Sequence, residues 1–232
     1  MSTSSKELWR NWDAETGGMI KRLSQIAKGG APDGNMLRVL PALKKMYSPG
    51  SRVLDVGCCV GEYLAMLRKQ VDPEIDYTGV DATKKYLDVA RSIFKQTRFV
   101  EGDILNLPFD DNAFDLVFCV NVLQHIAPPL TVPLRELLRV SRRTVVIYLL
   151  SDICDMQIQQ FRKPGDAWDS LPFFYHNVYS KKTVVSTIRK ICPNARIFNA
   201  AGNGYRMGPL NTKYNVFVAC KSTEGDILKG DQ

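Results

Sequence analysis

The segment 52–67, RVLDVGCCVGEYLAML, contains residue types that hold small ligands in many proteins. Its apolar start is typical of a buried strand, and Gly57 and Gly61 allow a tight turn before the amphipathic helix pattern that follows. In such a turn, backbone N–H groups and the helix N-terminus point towards a ligand. The spacing differs from the G-x-G-x-x-G of dinucleotide-binding loops, so the sequence does not favour a pyrophosphate cradle.

The adjacent residues Cys58 and Cys59 raise the question of a metal site or a disulfide. Neighbouring cysteines rarely form one disulfide, the six cysteines show no C-x-x-C spacing, and the chain has only two histidines. We therefore predict no metal site and expect the thiols to act as small buried hydrophobic groups, with Cys58 beneath the loop. Since Cys59 precedes a helix, we also expect the helix N-terminus to lower the pKa of its thiol.

Short apolar runs that alternate with helical patterns must position this loop. Strand patterns cover 51–56, 75–80, 97–102, 113–120 and 142–150, and helix patterns cover 61–71, 83–95 and 128–140. This alternation predicts βαβ units and a parallel sheet, buried between helices on both faces because the strands are apolar throughout.

The C-terminal part of the sequence departs from this alternation. A helix pattern at 183–191 is followed by strand patterns at 194–202 and 212–222, with no helix between them and loop-forming residues at 202–211. These two strands should therefore pair as an antiparallel hairpin. The predicted fold is an α/β sheet of seven strands, five parallel and two in the terminal hairpin, flanked by helices.

Two further segments lie outside the alternating pattern. Residues 1–50 contain helix patterns at 5–15, 17–27 and 35–47, and residues 151–179 contain several aromatic residues and a Pro-Gly turn. We predict an N-terminal helical extension or lid over 1–50. Residues 51–232 then form one domain with an insertion at about 151–179, and both additions pack over one edge of the sheet.

The loop and three later strand ends resemble the motifs of class I S-adenosylmethionine-dependent methyltransferases, which have a Rossmann-like fold. Asp55, Gly57 and Gly61 match the acid-x-Gly-x-Gly-x-Gly pattern of the first motif, with Cys59 at the position of its middle glycine. Glu62, in the first turn of the next helix, is explained by the helix dipole and is not assigned to the site.

The resemblance continues through "YTGVDAT", "VEGDILNLPF" and "FDLVFCVNVLQHI". It implies that Asp81 holds the ribose of S-adenosylmethionine, that Asp103 and Ile104 lie beside the adenine, and that the end of the fourth strand lies beside the methionine part. The implied cofactor-binding residues are Asp55, Gly57, Cys59, Gly61, Asp81, Ala82, Asp103, Ile104, Val120 and Asn121.

Each acidic residue in this set also has a purely structural interpretation. Asp55 would hold the glycine loop by accepting backbone N–H groups, whereas its cofactor role would be to reach the ammonium group. Asp81 would cap the helix that begins near Thr83. Asp103 would be a turn residue.

The resemblance implies in-line displacement at the sulfonium methyl group, with S-adenosylhomocysteine as the product. The protein would mainly align the nucleophile and exclude water. His125, just past the fourth strand, and His176, at the end of the insertion, are the candidate general bases. For each, the alternative is an ordinary packed or surface histidine.

The leading functional hypothesis is a methyltransferase that acts on a small molecule. An Asn/Asp-Pro-Pro-Tyr/Phe/Trp motif is missing after the fourth strand, and the basic residues behind the net charge of +7 are interleaved with acids. Both features disfavour a nucleic-acid partner without excluding it. The alternatives are an RNA or protein methyltransferase and a non-catalytic S-adenosylmethionine-binding scaffold or sensor.

The sequence also bears on localisation. The first residues are polar and mixed in charge, unlike a secretory signal, and the longest apolar run, 144–150, is too short to span a bilayer. We therefore expect a cytoplasmic protein with no membrane partner. The oligomeric state and the acceptor atom stay open.

Overall fold

Nine strands and six α-helices are found in the part of the chain that the computed structural model describes, residues 18–152, 154–160, 174–207 and 210–221. The helices are α1 (Gly18–Ala27), α2 (Gly34–Met46), α3 (Glu62–Gln70), α4 (Lys84–Ile93), α5 (Thr131–Val140) and α6 (Lys181–Ile191). The strands are β1 (Arg52–Val56), β2 (Asp76–Asp81), β3 (Arg98–Glu101), β4 (Phe114–Val120), β5 (Ser141–Asp152), β6 (Met156–Gln160), β7 (Phe174–Ser180), β8 (Arg196–Met207) and β9 (Leu210–Cys220).

Seven of these strands form the predicted sheet. Strands β1 to β5 are parallel in the order β3-β2-β1-β4-β5, β9 runs antiparallel to β5, and β8 pairs antiparallel with β9. The predicted fold class is therefore confirmed. The strand order reverses between β1 and β4, which is where open α/β sheets bind ligands at their carboxyl edge.

Helices cover both faces of the sheet, as the apolar strands predict. Successive residues of β1 contribute to different cores, because Val53 packs on the side of α1 to α4 and Leu54 packs on the side of α5 and α6. Both side chains are fully buried. The two cores together fix the strand ends that carry the predicted site.

The insertion adds a hairpin to the sheet rather than only covering it. Strand β6 pairs antiparallel with β7, and β7 runs parallel to the end of β5 through the pair Ser151 and Tyr179. Since β9 occupies the other edge of β5, β7 lies on the side of β4, beyond the end of that strand. The hairpin thus lies next to the carboxyl end of β4, while residues 161–173 lie outside the description.

The predicted loop at 202–211 is wrong for most of its length. Strand β8 continues to Met207 and β9 begins at Leu210, with a register shift between Ala201 and Gly204. Gly-rich sequence indicated a loop, but in the structure the glycine at the shift marks a bulge within a long hairpin.

The two N-terminal helices belong to one face of the sheet. Helix α1 packs against α3 and α4, and α2 packs against β5 and β9. The carboxylate of Asp33 caps α2 by accepting the backbone N–H groups of Asn35 and Met36. Action as a lid stays a prediction, and the predicted helix at 5–15 lies outside the described residues.

None of the helices described here is both long enough and apolar enough to cross a membrane.

Candidate functional site

Three residues of the loop after β1 have a left-handed backbone conformation. Gly57 and Gly61 have φ values of 80°, and Cys59 has a φ of 45°. The backbone N–H groups of Gly57 and Cys58 donate to the carbonyl oxygen of Val80, at 2.8 and 3.1 Å. The loop therefore turns sharply and is tied to the end of β2. Glycine adopts this left-handed backbone more readily than the cysteine found at position 59.

The two cysteines have different environments. Cys58 is buried, as predicted, and its Sγ packs so close to Gly79 that a Cβ atom there would lie 2.7 Å away. The expected low thiol pKa at Cys59 is wrong. Burial and the nearby carboxylates of Glu62 and Asp81 raise the pKa of the Cys59 thiol and outweigh the helix N-terminus. All six cysteines are free thiols.

Asp81 connects the end of β2 to the glycine loop. Its carboxylate accepts the backbone N–H of Cys59 at 2.9 Å and that of Thr83 at 2.8 Å. Burial raises the pKa of Asp81. The hydroxyl of Thr83 and the backbone N–H of Ala82 also donate to this carboxylate. The next residue, Ala82, is half-buried in the same turn.

Asp55 lies inside the protein, below the loop. It is 2% exposed and accepts the hydroxyl of Tyr77 at 2.6 Å. Burial raises the pKa of Asp55 to about 8, against the lowering effect of the Tyr77 hydrogen bond. The loop N–H groups described above donate to Val80 and Asp81, so holding the loop is a role of Asp81 rather than of Asp55.

Glu62 is the residue that the sequence prediction left out. It is 6% exposed, and its Oε2 has no hydrogen-bond partner among the described residues. Burial raises the pKa of Glu62 to about 8, with the carboxylates of Asp55, Asp33 and Asp81 adding to the effect. Its spacing from the buried Met66, four residues on in α3, is the sequence signal that indicates an inward-facing side chain.

Asp103 and Ile104 follow the end of β3. The Oδ1 of Asp103 accepts the backbone N–H of Leu105 at 2.9 Å, so the turn interpretation of this residue describes its geometry. Ile104 is buried. The N–H of Gly102 donates to the carbonyl oxygen of Asp81 at 3.0 Å. This bond brings the segment beside the end of β2.

Val120 is the last residue of β4, and Asn121 follows it. Asn121 has a left-handed φ of 59°, and its N–H donates to the carbonyl oxygen of Tyr148 at 2.9 Å. The next residue, Val122, packs against Gly57, where an added Cβ would lie 2.2 Å from its Cγ2. The loops after β1 and β4 therefore touch at the point where the strand order reverses.

The two candidate bases belong to adjoining segments. His125 is half-buried in a 3-10 turn, Leu123–His125, that follows β4. Strand β7 packs against this turn, and the side-chain amide of Asn177 donates to the carbonyl oxygen of Ile126 at 2.6 Å. His176 pairs with Ile158 through its backbone within the hairpin, and its side chain is outside the description.

The predicted residues thus fall along one edge of the sheet. Every predicted cofactor-binding residue lies at or just after the end of β1, β2, β3 or β4. Strand pairing and backbone hydrogen bonds connect each of these strand ends to the end of a neighbouring strand. No group of three His, Cys, Asp or Glu residues within the described ranges is arranged to hold a metal ion.

A cavity of about 520 Å³ lies elsewhere, at the opposite edge of the sheet. Its lining includes Arg52, Asp76 and Arg98, which are the first residues of β1, β2 and β3. It is therefore separate from the glycine loop and the carboxyl ends of the strands.

Comparison with known proteins agrees with this geometry. Residues 53–144, which span β1 to β4 and the start of β5, match a family model described as a methyltransferase domain. This part of the chain is therefore similar to a methyltransferase domain. The matched range contains the glycine loop, Asp81, Asp103 and the turn with His125.

Among curated proteins, part of this chain is similar to demethylmenaquinone methyltransferase of Staphylococcus aureus. The two are 35% identical over 96 residues, which are 40% of this chain and 39% of the relative. The chain therefore matches well under half of the length of this curated relative.

Solved structures share the fold over most of this chain. Phosphoethanolamine N-methyltransferase 2 of Haemonchus contortus, solved with phosphomonomethylethanolamine and S-adenosylhomocysteine, has a TM-score of 0.66 at 15% identity, covering 96% of this chain and 61% of that one. An S-adenosylmethionine-dependent methyltransferase of Methanosarcina mazei has a TM-score of 0.63 at 16% identity, covering 79% and 98%. At these identities the similarity concerns the fold.

Proposed function

We propose that this protein binds S-adenosylmethionine at the carboxyl edge of its sheet and transfers the methyl group to a small molecule. The observation that carries the proposal is the left-handed loop at the end of β1, which contacts Asp81 at the end of β2 and Val122 after β4. This arrangement occurs within a methyltransferase domain and at the reversal of the strand order.

The chemistry of these residues fits such a ligand. The carboxylate of Asp81 at the end of β2 is a hydrogen-bond acceptor of the kind that ribose hydroxyls require, and Ile104 supplies an apolar surface for a base. Asp55, Glu62 and Asp81 are buried acids, which suit a ligand with cationic groups. We propose the expected cofactor-binding roles for the loop residues, Asp81, Asp103 and Ile104, whereas Asp55 lies below the loop and accepts the hydroxyl of Tyr77.

When bound, S-adenosylmethionine supplies a sulfonium methyl group that a nucleophile can displace. The chain must then orient the acceptor and keep water out. The hairpin β6–β7 beside the end of β4 suits this role, because its Asn177 is bonded to the segment that holds His125. We propose His125 as the general base where the acceptor must lose a proton, with His176 as the second candidate.

A small-molecule acceptor is supported by the match to demethylmenaquinone methyltransferase over 96 residues. An RNA or protein acceptor and a non-catalytic binding role are the alternatives. Transfer from S-adenosylmethionine labelled in its methyl group separates them, using purified protein with small-molecule, RNA and protein fractions of a cell extract. We expect label in the small-molecule fraction. Label confined to RNA or protein, or no transfer despite binding of the ligand, would reject the proposal.

The variant His125→Ala tests the base. We expect turnover to fall by about 100-fold or more, on the scale of general-base catalysis, with unchanged affinity for S-adenosylhomocysteine. Full activity in this variant would exclude His125 from the chemistry.

A further inference from the structure

The carboxyl edge of the sheet holds three buried carboxylates without a cation. Asp55, Glu62 and Asp81 are 2%, 6% and 9% exposed. Within the described residues, none of the three forms a salt bridge, and the nearby Arg22 instead pairs with Asp33 at 3.3 Å. Buried carboxylates without a partner cation tend to keep their protons, and a cationic ligand would stabilise their charged forms.

Glu62 differs from the other two carboxylates in its hydrogen bonds. Asp55 accepts the hydroxyl of Tyr77, and Asp81 accepts two backbone N–H groups. The Oε2 of Glu62 is buried without a partner in the part of the chain described. An unpaired buried acceptor costs about 1–3 kcal/mol, and more when it is charged, so Glu62 is the carboxylate with the most to gain from a donor.

The position of Glu62 directs it towards the glycine loop. It is the first residue of α3 and follows Gly61 directly. Side chains in a helix lean towards its N-terminus, which here is the end that faces the loop. A missing metal ion does not account for the site, because no metal-binding cluster occurs among the described residues.

We propose that Glu62 binds the α-ammonium group in the methionine part of S-adenosylmethionine and so orients that end of the ligand. The inference rests on the proposed function and adds a residue and a contact to it. An ammonium group supplies both the positive charge that the three carboxylates lack and a donor for Oε2. The raised pKa of Glu62 is the expected state of such a carboxylate without its ligand.

Two ligands isolate the contact. S-adenosylhomocysteine carries the amino-acid group, whereas 5′-methylthioadenosine has the same adenosine and a thioether but no ammonium. We expect Glu62→Gln to weaken binding of S-adenosylhomocysteine by about tenfold or more, which is about 1.4 kcal/mol, and to leave binding of methylthioadenosine within about twofold. Calorimetry at a pH of about 8.5 measures both affinities, because this pH lies above the pKa of about 8 of Glu62.

Asp81→Asn is the matched control, because it removes the charge of another buried acid at the same edge. This variant should weaken the binding of both ligands by the same factor, because both ligands contain the ribose. The proposal would be overturned if Glu62→Gln lost the same amount of affinity for both ligands, or lost no affinity for either. If the wild-type protein bound neither ligand, the proposed function itself would be wrong, and the assignment of Glu62 would be wrong as well.

A second measurement uses the wild-type protein, so its result does not depend on whether a variant folds. In a crystal structure of the wild-type protein with S-adenosylhomocysteine, we expect the ammonium nitrogen within about 3.2 Å of a carboxylate oxygen of Glu62. A distance beyond about 4 Å would contradict the assignment.

Discussion

Buried carboxylates determine how this protein responds to pH. Asp55 and Glu62 each have a pKa raised to about 8, mainly because burial disfavours their charged forms. The folded protein therefore holds these protons more tightly than the unfolded chain. The free energy of unfolding should fall as pH rises from the ordinary carboxyl range through about 8.

This charge effect predicts a stabilising substitution. Without ligand, Glu62→Gln should raise the free energy of unfolding by about 1–3 kcal/mol at a pH of about 9, because it removes an unpaired buried charge. The gain should shrink towards a pH of about 5, where Glu62 is protonated. Urea denaturation at both values measures it, with the exposed residue Glu74 changed to Gln as the control. A destabilised Glu62→Gln at high pH would refute this account of the site.

The sequence alone was informative about some site residues and silent about others. Asp81 and the loop glycines stand at fixed positions after apolar strands, so the pattern predicts where they lie. Glu62 was assigned to the helix dipole, because a charged residue in a first turn is ordinarily exposed. Its environment includes α1, which packs against α3 from a distant part of the chain. The hydrogen bond of Asp55 to Tyr77 likewise requires the register of β1 and β2.

At the level of elements, the contact between the loops after β1 and β4 fixes the shape of the site. Gly57 and Gly50 have similar left-handed φ values, 80° and 78°, but differ in their surroundings. A Cβ at Gly57 would lie 2.2 Å from the Cγ2 of Val122, whereas nothing lies within 4 Å at Gly50. Comparing substitutions at these two glycines therefore separates the cost of backbone strain from the cost of steric contact.

We expect Gly50→Ala to cost about 1–2 kcal/mol of stability from the left-handed backbone alone. Gly57→Ala should cost about 1–3 kcal/mol more, because the added methyl group displaces Val122. Combining Gly57→Ala with Val122→Ala should recover part of that excess in a double-mutant cycle by urea denaturation. Equal losses at the two glycines would mean that the loops do not pack as described.

The regular elements were predicted more successfully than the additions. Strands β1 to β5 and the helices between them have clear apolar periodicity and turn residues at their ends, so their order follows from the sequence. The hairpin β6–β7 was not predicted, because MQIQQ has few apolar residues and its pairing with β5 is set by tertiary contacts. The long terminal hairpin was interrupted in the prediction by glycines that the structure accommodates at a bulge.

At the level of the whole molecule, the described chain combines a shared part with its own additions. The family match covers 53–144, which holds the glycine loop and the ends of β1 to β4. Helices α1 and α2 and the hairpin β6–β7 lie outside that range, and the hairpin packs against the turn that carries His125. We therefore expect the matched part to bind the cofactor and the additions to select the acceptor.

Calorimetric titration of S-adenosylhomocysteine into the wild-type protein tests the central claim most directly, with Asp81→Ala measured alongside. The account predicts saturable binding with a Kd in the micromolar range. Asp81→Ala should weaken it by about 1–3 kcal/mol, because ribose hydroxyls lose a buried acceptor. An absence of saturable binding to the wild-type protein, or an unchanged affinity in the variant, would contradict the account.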